Sequence, residues 1–337
     1  MLIVMKPEHT EEQLSKVVEE IHKMEFKAHV LPGKNSVAIG ITGNVNPISE
    51  DFFTTMHGVH ETIKVTKPFK LAGKEFSKGN LEIKVGPVTF DDKSFVIMAG
   101  PCAVESEEQT IRIAKKVKAA GAHILRGGAY KPRSSPYAFQ GMGIEGLKIL
   151  QKASKETGLP VITEALDFIS LEGVVEYADI IQIGTRNMQN FSLLQEVGKT
   201  NKPVMLKRGF SATIEEWLMA AEYILDSGNP NVILCERGLR SYDQNTRNLL
   251  DITAVPVAKQ LSRLPVVIDP SHSTGRKYLV EPVSRASLAI GANGIIVDVH
   301  DKPHEALVDG PQALLPDEFI EMVKVLKSIG KAIDINL

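Results

Sequence analysis

Two different periodicities divide the chain. In the first 65 or so residues, short apolar runs flank a segment with helical spacing. Leu2 to Met5 predicts a strand. Thr10 predicts a helix N-cap, with Glu11 and Glu12 in the first turn. Leu14, Val17, Val18 and Ile21 carry the apolar face of that helix as far as Lys23. Lys27 to Leu31 predicts a strand, Pro32 to Asn35 a turn, and Ser36 to Thr42 a further strand. A second helix is predicted over Ser49 to Met56 and a last strand over Glu61 to Thr66. The order βαββαβ is the ferredoxin-like pattern.

Lys67 to Asn80 predicts a linker, and Gly86-Pro87 turns a short hairpin between Leu81–Val85 and Val88–Phe90. Beyond it, nearly continuous apolar runs alternate with helical stretches, as parallel βα units require. The predicted strands are Phe95–Ala99, His123–Arg126, Pro160–Glu164, Ile180–Ile183, Pro203–Lys207, Asn231–Cys235, Pro265–Ile268 and Gly294–Val297. Eight strands over roughly 240 residues predict a (β/α)8 TIM barrel. An open doubly wound sheet is the alternative, but no GxGxxG follows the first strand. The expected organisation is a ferredoxin-like domain at 1–66, a linker and hairpin at 67–92, and a catalytic barrel at 93–337.

Barrel enzymes draw their chemistry from the C-terminal strand ends and the loops beyond them. Here those ends are polar throughout, and two constellations separate. Arg126, Lys131, Arg133, Arg186, Lys207 and Arg237 follow strands two to six. A lone surface Arg is usually just solvated. Six cations aimed at one mouth repel each other unless a multiply charged anion binds among them, and Arg matches carboxylate and phosphate bidentately. Cys102, His272, Asp298 and Asp309 follow strands one, seven and eight, which closure makes neighbours. A thiolate, an imidazole and two carboxylates suit Mn, Fe, Co or Zn better than Mg or Ca. His300 is a spare ligand or acid/base candidate, and Cys235 a packed interior thiol.

Composition adds limits. The chain has 337 residues, 39 basic and 41 acidic, for a formal charge of −2, so nothing global favours nucleic acid or an anionic membrane. No apolar run of about 18 residues predicts a membrane span. The N-terminus lacks signal-peptide character, and two cysteines make no disulfide framework. A cytoplasmic protein is expected.

Ala-Gly-Pro-Cys (99–102), Leu-Arg-Gly-Gly-Ala-Tyr-Lys-Pro-Arg-Ser-Ser (125–135), Ile-Gly-Thr-Arg-Asn (183–187), Leu-Lys-Arg-Gly (206–209), Cys-Glu-Arg-Gly (235–238) and Asp-Pro-Ser-His-Ser (269–273) closely resemble the 3-deoxy-D-arabino-heptulosonate 7-phosphate (DAHP) synthases. The resemblance is to the branch with an N-terminal ferredoxin-like regulatory domain and covers essentially the whole chain in order. It implies condensation of phosphoenolpyruvate with erythrose 4-phosphate and water, the first step of the shikimate pathway. It implies that Arg126, Lys131, Arg186, Lys207 and Arg237 hold phosphoenolpyruvate, and that Pro132, Arg133, Ser134 and Ser135 contact the aldose phosphate. Cys102, His272, Asp298 and Asp309 would bind the metal. The family pattern has Glu at position 298, where this chain has the shorter Asp298, and often Thr at position 134, where this chain has Ser134.

Lys131 is the candidate proton donor, Glu164 the candidate for orienting water, and Asp269 or His272 alternatives. The N-terminal unit resembles modules that bind an aromatic amino acid effector, with His29 the candidate contact. Related enzymes are commonly homo-tetramers. A 3-deoxy-octulosonate 8-phosphate synthase is the nearest rival, and its equivalent loop carries Ala-Asn in place of Pro132-Arg133. A sensor that binds phosphoenolpyruvate without chemistry would have lost a metal or cationic residue, and none is missing.

Overall fold

The computed structural model describes residues 1–32, 37–43, 48, 50–63, 68–74 and 80–337. The N-terminal unit comprises Met1–Asn80 with Leu261–Arg263. Its elements are β1 (Leu2–Met5), α1 (Glu11–Lys23), β2 (Lys27–Pro32), β3 (Val37–Thr42), α2 (Glu50–Thr54) and β4 (Val59–Ile63). They form an antiparallel sheet in the order β2-β3-β1-β4, a ferredoxin-like arrangement. Thr10 caps α1 as expected, and Gln13 completes a capping box with it. Val17 and Ile21 of α1 pack with Ile3, Met5, Ile39, Ile41 and Phe53 in one apolar cluster. The last strand begins two residues before its predicted start, at Val59. The predicted turn at Gly33–Asn35, the start of the second helix at Ser49, the strand end at 64–66 and linker positions 67 and 75–79 lie outside the described residues.

The second unit comprises Leu81–Gln260 and Leu264–Leu337. A hairpin of β5 (Ile83–Val85) and β6 (Val88–Phe90) precedes the barrel. The barrel strands are β7 (Val96–Gly100), β8 (Ile124–Arg126), β9 (Val161–Ala165), β10 (Ile180–Ile183), β11 (Val204–Lys207), β12 (Val232–Glu236), β13 (Val266–Ile268) and β14 (Gly294–Asp298). They close in sequence order, with β14 paired in parallel to β7. Each strand end falls within one residue of its prediction. Six strands begin one residue later than predicted, three of them directly after a proline (Pro160, Pro203 and Pro265), which has no N–H to donate.

Alternation along the strands sorts the core. Val96, Met98, Ile233, Cys235 and Ile296 belong to one interior cluster that also holds Ile83, Val85, Val88 and Phe90 of the hairpin. Gly86 of the hairpin turn lies beside Pro160, at the entry to β9, so the hairpin covers the N-terminal end of the barrel. The opposite, C-terminal end stays open for the loops. Among the described residues no helix is long and apolar enough to cross a membrane.

Candidate active site

The loops at the C-terminal strand ends enclose a pocket of about 280 Å³. Arg126, Lys131, Pro132, Arg133, Ser134, Ser135, Glu164, Arg186, Lys207, Arg237, His272 and Asp309 all line it. Cys102, Asp269 and Asp298 are buried and touch lining residues. His29 is far from this chemistry in sequence and belongs to the N-terminal unit. It sits half-buried on β2, its Nε2 2.7 Å from Thr42 Oγ1 of β3.

The cations are held in two ways. Lys207 Nζ donates to Asp269 Oδ2 at 2.5 Å, with both groups buried. Burial disfavours the charged Lys207, but Asp269 outweighs it and raises its pKa. Arg126 Nη1 donates to Pro101 O at 2.8 Å and stands 2.7 Å from Asp298 Oδ1. That second N–H is off the hydrogen-bond direction, so Asp298 Oδ1 is buried without an aligned donor. Gly100 lets the end of β7 run close to β8, since a Cβ there would lie 2.1 Å from Arg126 O. Lys131 Nζ donates to Cys102 O at 2.9 Å and to Cys102 Sγ at 3.2 Å. By contrast, Arg186 and Arg237 make no side-chain hydrogen bond or ion pair among the described residues, and Arg237 Nη1 is buried without a partner. Burial, with Arg247 and Arg186 nearby, lowers the pKa of Arg237.

A metal-competent corner forms at the seam of the closed barrel. Cys102, His272 and Asp298 each offer a ligand atom within 4.8 Å of the others. Asp309 Oδ2 lies 3.2 Å from Cys102 Sγ and 3.5 Å from His272 Nε2. His272 Nδ1 lies 3.0 Å from Asp269 Oδ2, which orients the ring and leaves Nε2 toward the thiol and the two carboxylates. This is the outer-shell arrangement that metal-binding imidazoles use. Asp269 also caps the short helix Pro270–Thr274 through the His272 N–H, so the backbone fixes the same pair. Burial disfavours His272 charge, but Asp269 and Asp298 overcome it and raise its pKa to about 10. Burial likewise opposes the Asp309 carboxylate, and His272, Arg247 and Lys131 together hold its pKa far below the usual range. The Asp298 Oδ1, which has no aligned donor, and the soft-plus-hard donor set both fit a divalent transition ion.

Glu164 faces the pocket and accepts from Gln182 Nε2 at 2.9 Å. Gly184 makes room for it, since a Cβ there would lie 2.0 Å from Glu164 Oε1. His300 is buried against Gln109 and Glu105 and lines no part of the pocket. Cys235 lies in the barrel interior, where burial pushes its pKa up.

Sequence reasoning missed three contributors. Arg247 lines the pocket and donates to Asp309 Oδ1 at 2.9 Å. Gln312 Nε2 donates to Asp298 Oδ2 at 2.6 Å. Phe210 forms part of the pocket wall. Arg247 had one usable signal, a basic residue in the long loop after Cys-Glu-Arg-Gly. Gln312 and Phe210 had none, because both act through neighbours that only folding supplies.

Residues 77–334 match the DAHP synthetase I family, and residues 1–67 match the DAHP synthase ferredoxin-like domain. The chain belongs to the DAHP synthetase I family. It is therefore an aldol-type, carbon–carbon bond-forming enzyme. It is 48% identical over its full length to a phospho-2-dehydro-3-deoxyheptonate aldolase of Thermotoga maritima, which it also covers completely. A crystal structure of a DAHP synthase from Thermotoga maritima superposes with a TM-score of 0.80 at 47% identity, covering 99% of this chain and 98% of that one. A truncated DAHP synthase from the same organism matches 80% of this chain with a TM-score of 0.75. A 2-dehydro-3-deoxyphosphooctonate aldolase of Geobacter sulfurreducens is 33% identical, covering 74% of this chain and 97% of its own length. The Thermotoga maritima aldolase thus aligns with the whole chain, ferredoxin-like domain included, whereas the octonate aldolase aligns with 74% of it.

Proposed function

We propose that the pocket condenses phosphoenolpyruvate with erythrose 4-phosphate and water to give DAHP and inorganic phosphate. The observation that carries this reading is the pairing of the cationic pocket with the Cys102–His272–Asp298–Asp309 corner at one barrel mouth. Arg186, Lys207 and Arg237, with Arg126 and Lys131, bind the carboxylate and phosphate of phosphoenolpyruvate. Arg133, Ser134 and Ser135 grip the aldose phosphate, and Pro132 shapes the loop between them. Cys102, His272, Asp298 and Asp309 would hold one divalent ion (Mn, Fe, Co or Zn), with Asp269 orienting His272. A bound ion of this kind supplies Lewis acidity toward an aldehyde oxygen.

The remaining chemistry falls to the chain's own side chains. The methylene carbon of phosphoenolpyruvate attacks the aldehyde carbon, and water adds at the carbon bearing phosphate. Lys131, between the two substrate sites, delivers a proton to the aldehyde oxygen. Glu164 orients the attacking water on the far wall. The arginines stabilise charge on the phosphate as it leaves. His272 and Asp269 keep the metal corner in register and are alternative acid/base groups.

The aldose is assigned by Pro132-Arg133, which the octulosonate rival replaces with Ala-Asn. Turnover with erythrose 4-phosphate and arabinose 5-phosphate, measured with added metal and with chelator, tests the whole reading. Preference for the five-carbon aldose would overturn the substrate assignment. Full turnover in chelator would overturn the metal.

The ferredoxin-like unit is proposed to bind an aromatic amino acid and inhibit, with His29 as a contact. Inhibition by tyrosine or phenylalanine that survives deletion of residues 1–66 would refute this. By the same resemblance the chain assembles as a homo-tetramer, which light scattering checks.

A further inference from the structure

Arg126 and Lys207 each have a buried carboxylate within salt-bridge distance. Arg208, next to Lys207 in sequence, has two, Glu236 Oε2 at 2.9 Å and Asp251 Oδ2 at 3.0 Å. Arg186 and Arg237 have neither a carboxylate nor a hydrogen-bond acceptor among the described residues. What they share is one ring. The Arg237 guanidinium carbon lies 4.8 Å from the Phe210 ring centroid, and that of Arg186 lies 5.6 Å from it. Arg240 approaches the same ring at 5.2 Å.

We propose that Phe210 is a positioning residue that brackets Arg186 and Arg237 in the pocket without neutralising them. This rests on the reading of those two arginines as phosphoenolpyruvate anchors. Three guanidinium groups around one point repel in the absence of an anion. A carboxylate would hold them in place, but it would also compete with the substrate's own negative charges. The negative face of an aromatic ring attracts a guanidinium while leaving its full charge and its N–H donors available. Arg186 comes from the turn after β10 and Arg237 from the end of β12, so the residue between them in the barrel, on the β11 loop, is placed to reach both.

The backbone fixes the ring in this position. Phe210 O accepts from Arg240 N at 2.7 Å, and the Gly209 N–H points at Met188 Sδ at 3.0 Å. The side chain itself is only half-buried and faces the pocket, so filling the core is not its main use. Phe210 makes no hydrogen bond or ring contact with the Lys131–Ser135 loop among the described residues. Its effect should therefore fall on phosphoenolpyruvate alone.

The test uses the full-length, metal-loaded enzyme with Phe210 replaced by a fluorinated phenylalanine series, which keeps the ring's shape and weakens its negative face. Phosphoenolpyruvate affinity is read by calorimetry, and KM is read for both substrates. Affinity should fall stepwise with fluorination, reaching roughly tenfold at the pentafluoro ring, while the KM for erythrose 4-phosphate stays nearly level. Phe210→Leu should match the pentafluoro enzyme, and Phe210→Tyr should restore binding. A flat affinity across the fluorinated series, or an equal rise in both KM values, overturns the proposal. Arg186→Ala and Arg237→Ala are measured beside it. If they weaken phosphoenolpyruvate binding while the ring series is flat, only the role of Phe210 fails. If they leave binding unchanged, the anchor reading itself fails, and the proposal with it.

Discussion

Arg126 Nη1 and Asp298 Oδ1 stand 2.7 Å apart at the seam where β14 closes against β7, both almost wholly buried. The cation comes from the substrate pocket and the carboxylate from the metal-competent corner. The two constellations therefore share a charge pair. Removing Asp298 strands a buried guanidinium, which is more damaging than losing an exposed ion pair. Asp298→Ala should lower unfolding free energy by about 3 kcal/mol or more, measured by chemical denaturation in chelator so that metal binding does not contribute. Unchanged stability would mean that Arg126 finds another partner.

Cys102 is the soft donor of the corner, with Lys131 Nζ 3.2 Å from its sulfur. Cys102→Ser keeps the volume and replaces a thiolate by a weak hydroxyl ligand. Metal-supplemented turnover should drop at least roughly 100-fold, with a loss of affinity for Zn or Mn seen by calorimetry. Full activity of this variant in chelator would end the metal reading.

The Lys131–Ser135 loop tests substrate choice. Arg133 lines the pocket beside Ser134 and Ser135. Changing Pro132→Ala and Arg133→Asn together removes one cation from the pocket wall proposed to grip the aldose phosphate. The kcat/KM for erythrose 4-phosphate should fall by about 30-fold, the equivalent of one charge-assisted contact, while the affinity for phosphoenolpyruvate holds. Equal losses for both substrates would show that the loop only supports the pocket.

Asp167 gives a pH test away from the site. Its carboxylate accepts from the Ser170 N–H at 2.8 Å and from Ser170 Oγ at 2.7 Å, capping the helix Phe168–Tyr177. Those bonds, the backbone one first, hold its pKa below the ordinary value. A carboxyl with a lowered folded pKa stabilises the protein above its unfolded pKa, and that contribution is lost as pH falls through the folded value. Asp167→Ala should cost about 1 kcal/mol near pH 7, and the gap to the parent should close as pH drops below about 4. A gap that stays constant with pH would place the cost outside the cap's charge.

Most of the barrel was legible along the chain. Val, Ile and Leu runs such as Ile180–Ile183 are bounded by turn residues and repeat at βα spacing, so local pattern suffices to find them. Six strand starts moved by one residue, three of them behind a proline, and none by more. The N-terminal unit was read nearly as well, with its last strand displaced because Val59 pairs with Met5 of β1 across a register shift that no local alternation signals. In the pocket, cations at strand ends were legible because the C-terminal strand ends of a closed parallel barrel face one mouth. Arg247 was not, because it lies well past its strand and reaches Asp309 across the pocket.

What the sequence alone determined is the set of strands, their order and the charges at their ends, since each follows from residues close together along the chain. Tertiary structure decided the partners. Asp269 holds Lys207 and His272, Asp298 lies against Arg126 and Gln312, and Phe210 stands between arginines that no carboxylate holds. Apart from Asp269 and His272, which are local, each of those choices joins groups well separated in sequence. A buried charge makes a strong contact only where closure has excluded water and set the distance, and no local pattern encodes that.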